Sequence, residues 1–302
     1  MKKLSILPAF CLIFLFLAPG VFAQFPGGQF PAPGQPPGPA GGRDFFGEAM
    51  SDMDRAFSSA ESEPSLEDAY FLGRAVAAQI LASYTPYTRD QELTRYVNLI
   101  CQTLVINYPK AVTFKGFYVT ILDSQEFNAF ATPGGHIFLT KGLVEAMTSE
   151  DILAAVIAHE IAHIILKHGL NMIKDMELTN EMGAMANRAA DFAGNNAAAA
   201  RLMSFRDSVA SIVDTMIKNG FSQPQEFAAD REAAAILAAS GYDPRSIIEV
   251  LRILQRVQAS QRGGFNTTHP SPADRVRNIE AAASQLRVTD TRSHRTQRFR
   301  NR

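Results

Sequence analysis

Residues 150–165, EDILAAVIAHEIAHII, decide the fold of this 302-residue chain. Acids in the first turn are typical of a helix N-terminus, so the stretch predicts a helix that runs to about Lys167. His159 and His163 are four residues apart, so they lie on one face of that helix and can reach one metal ion. Glu160 follows the first histidine and can contact a water molecule at the metal without being a ligand.

The rest of this helix is apolar, and three ionisable side chains there are costly unless they have a partner. This favours a metal site over the alternative, a surface helix with coincidental spacing. Imidazole ligands suit zinc, which has no redox chemistry to manage. The sequence therefore predicts one Zn²⁺ per chain.

The third ligand is sought downstream. A metzincin would need glycine at position 166 and histidine at 169, but the chain has Leu166 and Gly169, which excludes that class. His168 is expected to point away, about half a turn round the helix from the first histidine. Glu226 is the best candidate, with Asp230 one turn later to orient a ligating histidine. The alternative for this segment is a solvated charged face.

The composition excludes several classes of protein. With 29 Lys and Arg against 30 Asp and Glu, the chain is nearly neutral, which argues against a general nucleic-acid binder. Of its two cysteines, Cys11 lies in a segment that we expect to be removed, so no intramolecular disulfide can form. Cys101 lies in the apolar stripe of a helix predicted to start near Asp90, where we expect a buried packing residue.

The ends of the chain differ from its body. Residues 1–23 predict a secretory signal peptide cleaved before Gln24, rather than a membrane anchor, because the apolar run is short and interrupted by prolines. Residues 24–43 predict a Pro/Gly-rich disordered linker, and residues 44–286 predict one domain that carries the expected zinc site. Residues 287–302, with six Arg and one Asp, predict a basic disordered tail that contacts anionic lipid, an acidic polymer or the body itself.

The expected fold is α+β and mainly helical. Residues 117–122, 128–131 and 136–140 predict strands of a small antiparallel sheet beside the active-site helix, and 132–135 predict a turn. The second strand would lie at the sheet edge, where an extended peptide can add through main-chain hydrogen bonds. The alternative is a plain hairpin that supports the core. The candidate substrate-binding residues are Asn128, Ala129, Phe130 and Ala131.

Four segments together resemble one family, the HtpX/BepA-like zinc metallopeptidases, which include the CAAX prenyl proteases. They are Ala154–His163, the Glu226-x-x-Ala-Asp230 motif, Gly241-Tyr242-Asp243-Pro244, and Asn128 to Gly135. The resemblance covers roughly residues 65 to 284 and is to a soluble periplasmic branch without a tetratricopeptide domain. It implies a gluzincin-type fold, zinc-dependent endopeptidase activity and periplasmic quality control of misfolded or misassembled envelope proteins.

A further segment, Thr268-His269-Pro270-Ser271-Pro272-Ala273-Asp274-Arg275, is similar to the periplasmic branch. Ser271 is a predicted helix cap and Asp274 completes a capping-box-like arrangement. The resemblance implies that His269 can occupy the fourth zinc position and hold the enzyme latent. It also implies that Arg275 is a polar partner of the site or of the transition state. The alternative for His269 is a loop histidine in a rigid turn.

The predicted mechanism is metal-assisted peptide hydrolysis, in which Glu160 moves the water proton to the leaving amine. In some assignments within the family Asp230 is instead a proton donor. Residues 183–200 predict either a mobile lid or a peripheral helix. The competing function is a latent protease that acts mainly as a periplasmic chaperone or assembly factor. The expected partners are unfolded or misassembled envelope proteins, without nucleic acid or a membrane span but with possible peripheral membrane contact through the basic tail.

Overall fold

The computed structural model describes residues 64–175, 213, 220–260, 271–287 and 292–300. The predicted signal peptide, the linker, the 183–200 segment and His269 lie outside these ranges. Within them, no helix combines the length and the apolar character that a membrane crossing needs. The elements, in chain order, are α1 (Leu66–Ser83), α2 (Gln91–Ile106), β1 (Tyr118–Leu122), β2 (Ala129–Ala131), β3 (His136–Thr140), α3 (Lys141–Ala146), α4 (Glu150–Ile165), α5 (His168–Asp175), α6 (Gln223–Ala239), α7 (Ser246–Ser260), α8 (Pro272–Gln285) and α9 (Arg292–Arg300).

The first two helices begin where their capping residues predict. Ser65 caps α1: its hydroxyl accepts from the backbone N–H of Asp68 at 3.1 Å, and the Asp68 carboxylate accepts from the Ser65 N–H at 2.9 Å. Asp90 caps α2 by accepting from the N–H of Leu93 at 2.8 Å. Each cap satisfies an N–H that would otherwise lack a partner at a helix start. Cys101 on α2 is buried, as its place in the apolar stripe predicts.

Helix α4 is the centre of the core. Every residue from Glu150 to His163 is buried. Leu153, Ile157 and Ile161 are fully buried, and each stabilises the fold by ~1.5–3 kcal/mol. The helix packs against α2, α6, α7 and β2. Helix α6 buries Ala229, Ala233 and Ala234 in the same core. Its packing against α4 brings Glu226, in the first turn of α6, to the histidines of α4.

The sheet is mixed, so the prediction of an antiparallel sheet is wrong for one of its two pairings. The strand order is β1-β3-β2, with β1 parallel to β3 and β2 antiparallel to β3. Strand β3 lies between β1 and β2. Because β2 runs opposite to β3, the chain has already reversed once, and β3 returns along the direction of β1. Strand β2 is an edge strand, as predicted.

The tight turn between β2 and β3 holds this hairpin against α1. Gly134 adopts a φ of 80°, which L side chains rarely adopt. A Cβ placed there would lie 2.4 Å from the Cα of Tyr70, so a side chain would push α1 away from the sheet.

The C-terminal segment is not wholly disordered, which corrects the prediction for residues 287–302. Helix α9 forms there, and its Arg295 is buried. Arg295 pairs with Asp151 of α4 at 2.9 Å and lies over the ring of Tyr242 at 5.0 Å. A segment with many arginines and few apolar residues is expected to stay out of the core. Here a buried carboxylate on another helix, Asp151 of α4, supplies the partner that lets Arg295 be buried. Of the partners considered for the tail, the described helix contacts the body itself.

Candidate metal centre

Three side chains from two helices converge on one point. The Nε2 atoms of His159 and His163 on α4 are 3.0 Å apart. Glu226 of α6 places one carboxylate oxygen 3.4 Å from the first of these nitrogens and the other 3.5 Å from the second. Tetrahedral zinc, with bonds of ~2.0–2.1 Å, needs ligand atoms ~3.3 Å apart. The set fits a divalent ion with nitrogen and carboxylate ligands, and it is the metal-ligand group found in the described part of the chain.

Local structure explains why Glu226 reaches this point. Ser222 and Gln225 form a capping box at the start of α6, which fixes the direction of its first turn. Glu226 lies in that turn, where the helix dipole favours a carboxylate. Its side chain is fully buried, and an ionised buried carboxylate requires compensating positive charge.

Asp230 and Arg275 surround the three candidate ligands. Asp230 lies one turn beyond Glu226, and its carboxylate is 3.2 Å from Nδ1 of His159. The Arg275 guanidinium contacts both carboxylate oxygens of Asp230, at 2.8 and 2.6 Å, and one oxygen of Glu226 at 2.7 Å. Arg275 is only 2% exposed. The sequence therefore named all of these residues, and the structure brings them together.

The charges around this cluster shift the proton affinities of its members in the metal-free protein. Burial and the charge of Arg275 lower the pKa of His159, but its hydrogen bonds with Asp230 and Glu226 outweigh them and raise it to about 9. Burial raises the pKa of Asp230, but the charge and hydrogen bonds of Arg275 outweigh it and lower it to about 2. Asp230 is thus an ionised acceptor, suited to hold the Nδ1–H tautomer that a histidine needs when it ligates through Nε2.

Helix α8 begins with Pro272 directly after Ser271, as predicted, and carries Arg275 into the site. The predicted capping-box-like arrangement is wrong, because Ser271 makes no side-chain cap hydrogen bond. Asp274 instead pairs with the exposed Arg277. His269 lies outside the described residues, so its role as a fourth ligand stays a prediction.

Two cavities border the cluster, and β2 lines both. A small cavity of about 30 Å³ is lined by His159, Glu160, Arg275 and Ala129 of β2, with apolar residues of α3, α4 and α7. A larger one of about 500 Å³ is lined by His163, Ala131 and the turn that follows β2. The metal-ligand group therefore lies beside the strand that was expected to guide substrate.

The backbone of β2 has one paired edge and one outer edge. The backbone carbonyl of Asn128 accepts from the backbone N–H of Thr140 at 3.0 Å, and the backbone N–H of Thr132 donates to the carbonyl of His136 at 2.9 Å. The backbone groups of Asn128 and Thr132 therefore face β3. Alternation along the strand directs the polar backbone groups of Ala129 and Ala131 to the other edge. The Asn128 side chain accepts from the N–H of Ala129 at 3.0 Å. Residues 128–131 are only 5–7% exposed, so pairing with a substrate requires this edge to be uncovered.

His168 contradicts the expectation that it points away from the site. Its Nδ1 lies 3.0 Å from Nδ1 of His163, and both rings are buried. The expectation assumed that α4 continues, but α4 ends at Ile165 and Lys167 adopts a φ of 58°. This left-handed residue turns the chain back, so His168 starts α5 beside the metal-ligand group. Burial lowers the pKa of His168 to about 4.

Phe221 was also missed from sequence. Its ring stacks on that of His163, with centroids 4.1 Å apart and planes inclined by 24°. An isolated phenylalanine just before a helix cap carries no sequence signal for such a contact.

A buried network holds the N-terminus of α4. Glu150 accepts from the hydroxyls of Tyr96 at 2.7 Å and Tyr242 at 3.0 Å, and it pairs with Arg298 of α9. Asp151 accepts from the N–H of Asp243 at 3.1 Å and pairs with Arg295, also of α9. Sequence reasoning treated the two acids only as a helix start. They also tie the helix that carries the histidines to α2, α9 and the loop before α7.

Comparisons with known proteins agree on one family. A family model described as peptidase family M48 matches residues 88–283. The chain is 28% identical over 247 residues to the beta-barrel assembly-enhancing protease of Escherichia coli K12, covering 80% of this chain and 49% of the relative. It is 29% identical over 166 residues to the mitochondrial metalloendopeptidase OMA1 of Schizosaccharomyces pombe, covering 53% and 45%. It is 26% identical over 156 residues to the metalloprotease LoiP of Escherichia coli K12, covering 52% and 58%. The chain thus spans about half the length of these curated relatives.

Proposed function

Because the chain belongs to peptidase family M48, we propose that it is a zinc-dependent endopeptidase that hydrolyses unfolded or misassembled envelope proteins in the periplasm. The observation that carries the proposal is the buried His159, His163 and Glu226 group, with Glu160 beside it and a cavity of about 500 Å³ at its border. Two imidazoles, one carboxylate and an open fourth position are typical of catalytic zinc sites.

The zinc ion, when held by His159, His163 and Glu226, supplies a Lewis acid that polarises the substrate carbonyl and favours ionisation of water. Glu160 lies on the same helix, one residue after His159, and is 3% exposed. Its carboxylate accepts the proton of the attacking water and delivers it to the leaving amine. The first transfer protonates the carboxylate and the second returns it to its ionised state, so the side chain is ready for the next cycle.

Asp230 and Arg275 position the machinery in this proposal. Asp230 accepts the Nδ1–H of His159 and so directs Nε2 of that ring toward the ion. Arg275 holds both Asp230 and Glu226 through short charged contacts, which fixes the angle at which Glu226 presents its carboxylate. A proton-donor role for Asp230 fits less well, because its pKa is held near 2 by Arg275.

The substrate in this proposal is an extended polypeptide paired with the outer edge of β2. The carbonyl of Ala129 and both backbone groups of Ala131 are on that edge, and main-chain pairing tolerates many side chains. Ala129 and Ala131 border the cavities on either side of the metal-ligand group, so a chain laid along β2 passes over it. Breadth of substrate suits a protease that removes damaged proteins.

The location and substrate class rest on two supports. Residues 1–23 have the three-part pattern of a secretory signal peptide. One relative is named a beta-barrel assembly-enhancing protease, a name that links that protein to the assembly of β-barrels. A role in envelope protein quality control follows from the two together.

Digestion of casein by the purified protein tests the proposal. We expect internal cuts, mapped by mass spectrometry, that stop when a zinc chelator is added and return when one equivalent of Zn²⁺ is restored. Inert protein at full zinc occupancy would reject the peptidase activity and favour a binding role. Cleavage that persists in chelator would reject the metal mechanism.

A further inference from the structure

His168 lies against a candidate zinc ligand but is not one of the three residues that converge on the ion. Its Nδ1 is 3.0 Å from Nδ1 of His163, and it is 6% exposed. The rings meet at 73°, with centroids 4.9 Å apart. Such a short contact between two ring nitrogens requires one of them to donate and the other to accept.

The direction of this hydrogen bond follows from which nitrogen of His163 faces the metal-ligand group. Nε2 of His163 is the atom 3.0 Å from Nε2 of His159 and 3.5 Å from Glu226. If Nε2 supplies its lone pair to an ion, the neutral ring carries its proton on Nδ1. That Nδ1–H points at His168, so His168 accepts through Nδ1 and carries its own proton on Nε2.

The chain conformation that brings His168 here is itself strained. Lys167 is the only non-glycine residue with positive φ in the described part of the chain, at 58°. A left-handed conformation is unfavourable for a residue that carries a side chain. Strain of this kind persists where the surroundings over-determine it, and it is concentrated at functional sites. Here it returns the chain immediately after α4, so that the first residue of α5 meets the second histidine of α4.

The two candidate histidine ligands are therefore held in the same way by different groups. Asp230 lies 3.2 Å from Nδ1 of His159, and His168 lies 3.0 Å from Nδ1 of His163. Phe221 covers one face of the His163 ring and restricts its rotation. We propose that His168 is a positioning residue for the metal centre, a neutral acceptor that fixes the tautomer and orientation of His163. This inference rests on the proposed zinc site and not on proteolysis.

Zinc affinity of the full chain, measured by competition with a chromophoric chelator, tests the inference without substrate. His168→Phe keeps a ring of similar size but removes the acceptor, and we expect its zinc affinity to fall ~10–100-fold. His168→Asn places an amide oxygen near the position of Nδ1, and we expect it to recover most of that loss. The matched control is His136→Phe. His136 is in β3 and stacks on Tyr118 of β1, away from the metal-ligand group, so this variant should bind zinc like wild type.

Two results would overturn the inference. Wild-type zinc affinity in a folded His168→Phe protein would show that the contact does not support the site. An equal loss in His168→Phe and His168→Asn would show that the residue is only packing.

Nitrogen NMR of zinc-loaded wild type, labelled with ¹⁵N-histidine, keeps the inference testable should a variant fail to fold. We expect His163 protonated on Nδ1 and His168 on Nε2, and a proton on Nδ1 of His168 would reject it. If this pattern is found but casein is not cut, only the proposed peptidase activity fails. If casein is cut but the pattern is absent, only the role of His168 fails.

Discussion

Replacement of Arg275 by alanine should destabilise the metal-free protein strongly. The guanidinium makes three charged contacts of 2.6–2.8 Å with Asp230 and Glu226 and is 2% exposed. Its removal leaves two buried carboxylates close together without their main counter-charge. Breaking a buried ion pair in this way costs ~3–5 kcal/mol. For a domain of this size, each kcal/mol lowers Tm by ~2–4 °C, so we expect a loss of roughly 6–20 °C.

Zinc should reduce that loss, because the ion brings two positive charges to the same carboxylates and stabilises the folded state by binding it. Thermal melts with and without zinc measure both effects. Arg275→Lys keeps the charge but not the two-pronged geometry, and we expect an intermediate Tm. Arg277→Ala is the matched control: it lies on the same helix and its side chain is 73% exposed, so its surface pair contributes at most ~1 kcal/mol. If metal-free Arg275→Ala melts at the same temperature as Arg277→Ala, the guanidinium does not hold the site together.

Three further predictions concern other parts of the structure. Glu226→Ala should lower zinc content below one equivalent because it removes one of three ligands, and full occupancy by elemental analysis would show that the third ligand is elsewhere. Burial raises the pKa of the Cys101 thiol to about 12, so peptide mapping after iodoacetamide treatment at pH 8 should find it unmodified in folded protein and modified in denaturant. The folded state holds this proton more tightly than the unfolded state. The contribution of Cys101 to the free energy of unfolding is therefore full below about pH 8.5 and falls as the pH rises toward 12. A denaturation midpoint of wild type that rises over that range, relative to Cys101→Ala, would contradict this pH dependence. Arg295→Ala should lower the free energy of unfolding by ~3 kcal/mol, because it leaves Asp151 buried without its charged partner. The control Arg300→Ala changes an exposed residue of the same helix and should leave the midpoint of urea unfolding nearly unchanged. Equal midpoints for the two variants would mean that α9 does not stabilise α4.

The elements that local sequence rules describe were predicted closely. Helices α1 and α2 start at the caps Ser65 and Asp90, and β3 has its predicted bounds. The metal-ligand group was predictable because two histidines four residues apart lie on one face of a helix. A pair of carboxylates one turn apart, Glu226 and Asp230, follows on a later helix. Such spacings survive folding unchanged as long as each helix forms.

Features that depend on where the chain turns were not predictable. The sheet was expected to be antiparallel throughout, but no residue pattern states that β1 runs parallel to β3. His168 was placed by continuing a helix that ends two residues earlier than expected, because the left-handed Lys167 has no sequence signature. Helix α9 contacts the body through Arg295, whose partner Asp151 is 144 residues away in sequence. Long-range pairing of this kind is invisible to a local reading.

The rate at which zinc-loaded Glu160→Gln cleaves casein tests the central claim most directly. The amide cannot accept the water proton, but the ligand set His159, His163 and Glu226 is intact, so zinc content should equal that of wild type. We expect the rate to fall by ~10²–10⁴. Glu145→Gln, on the exposed face of α3, is the matched control and should cleave at the wild-type rate. Near-normal cleavage by fully metal-loaded Glu160→Gln would contradict the account.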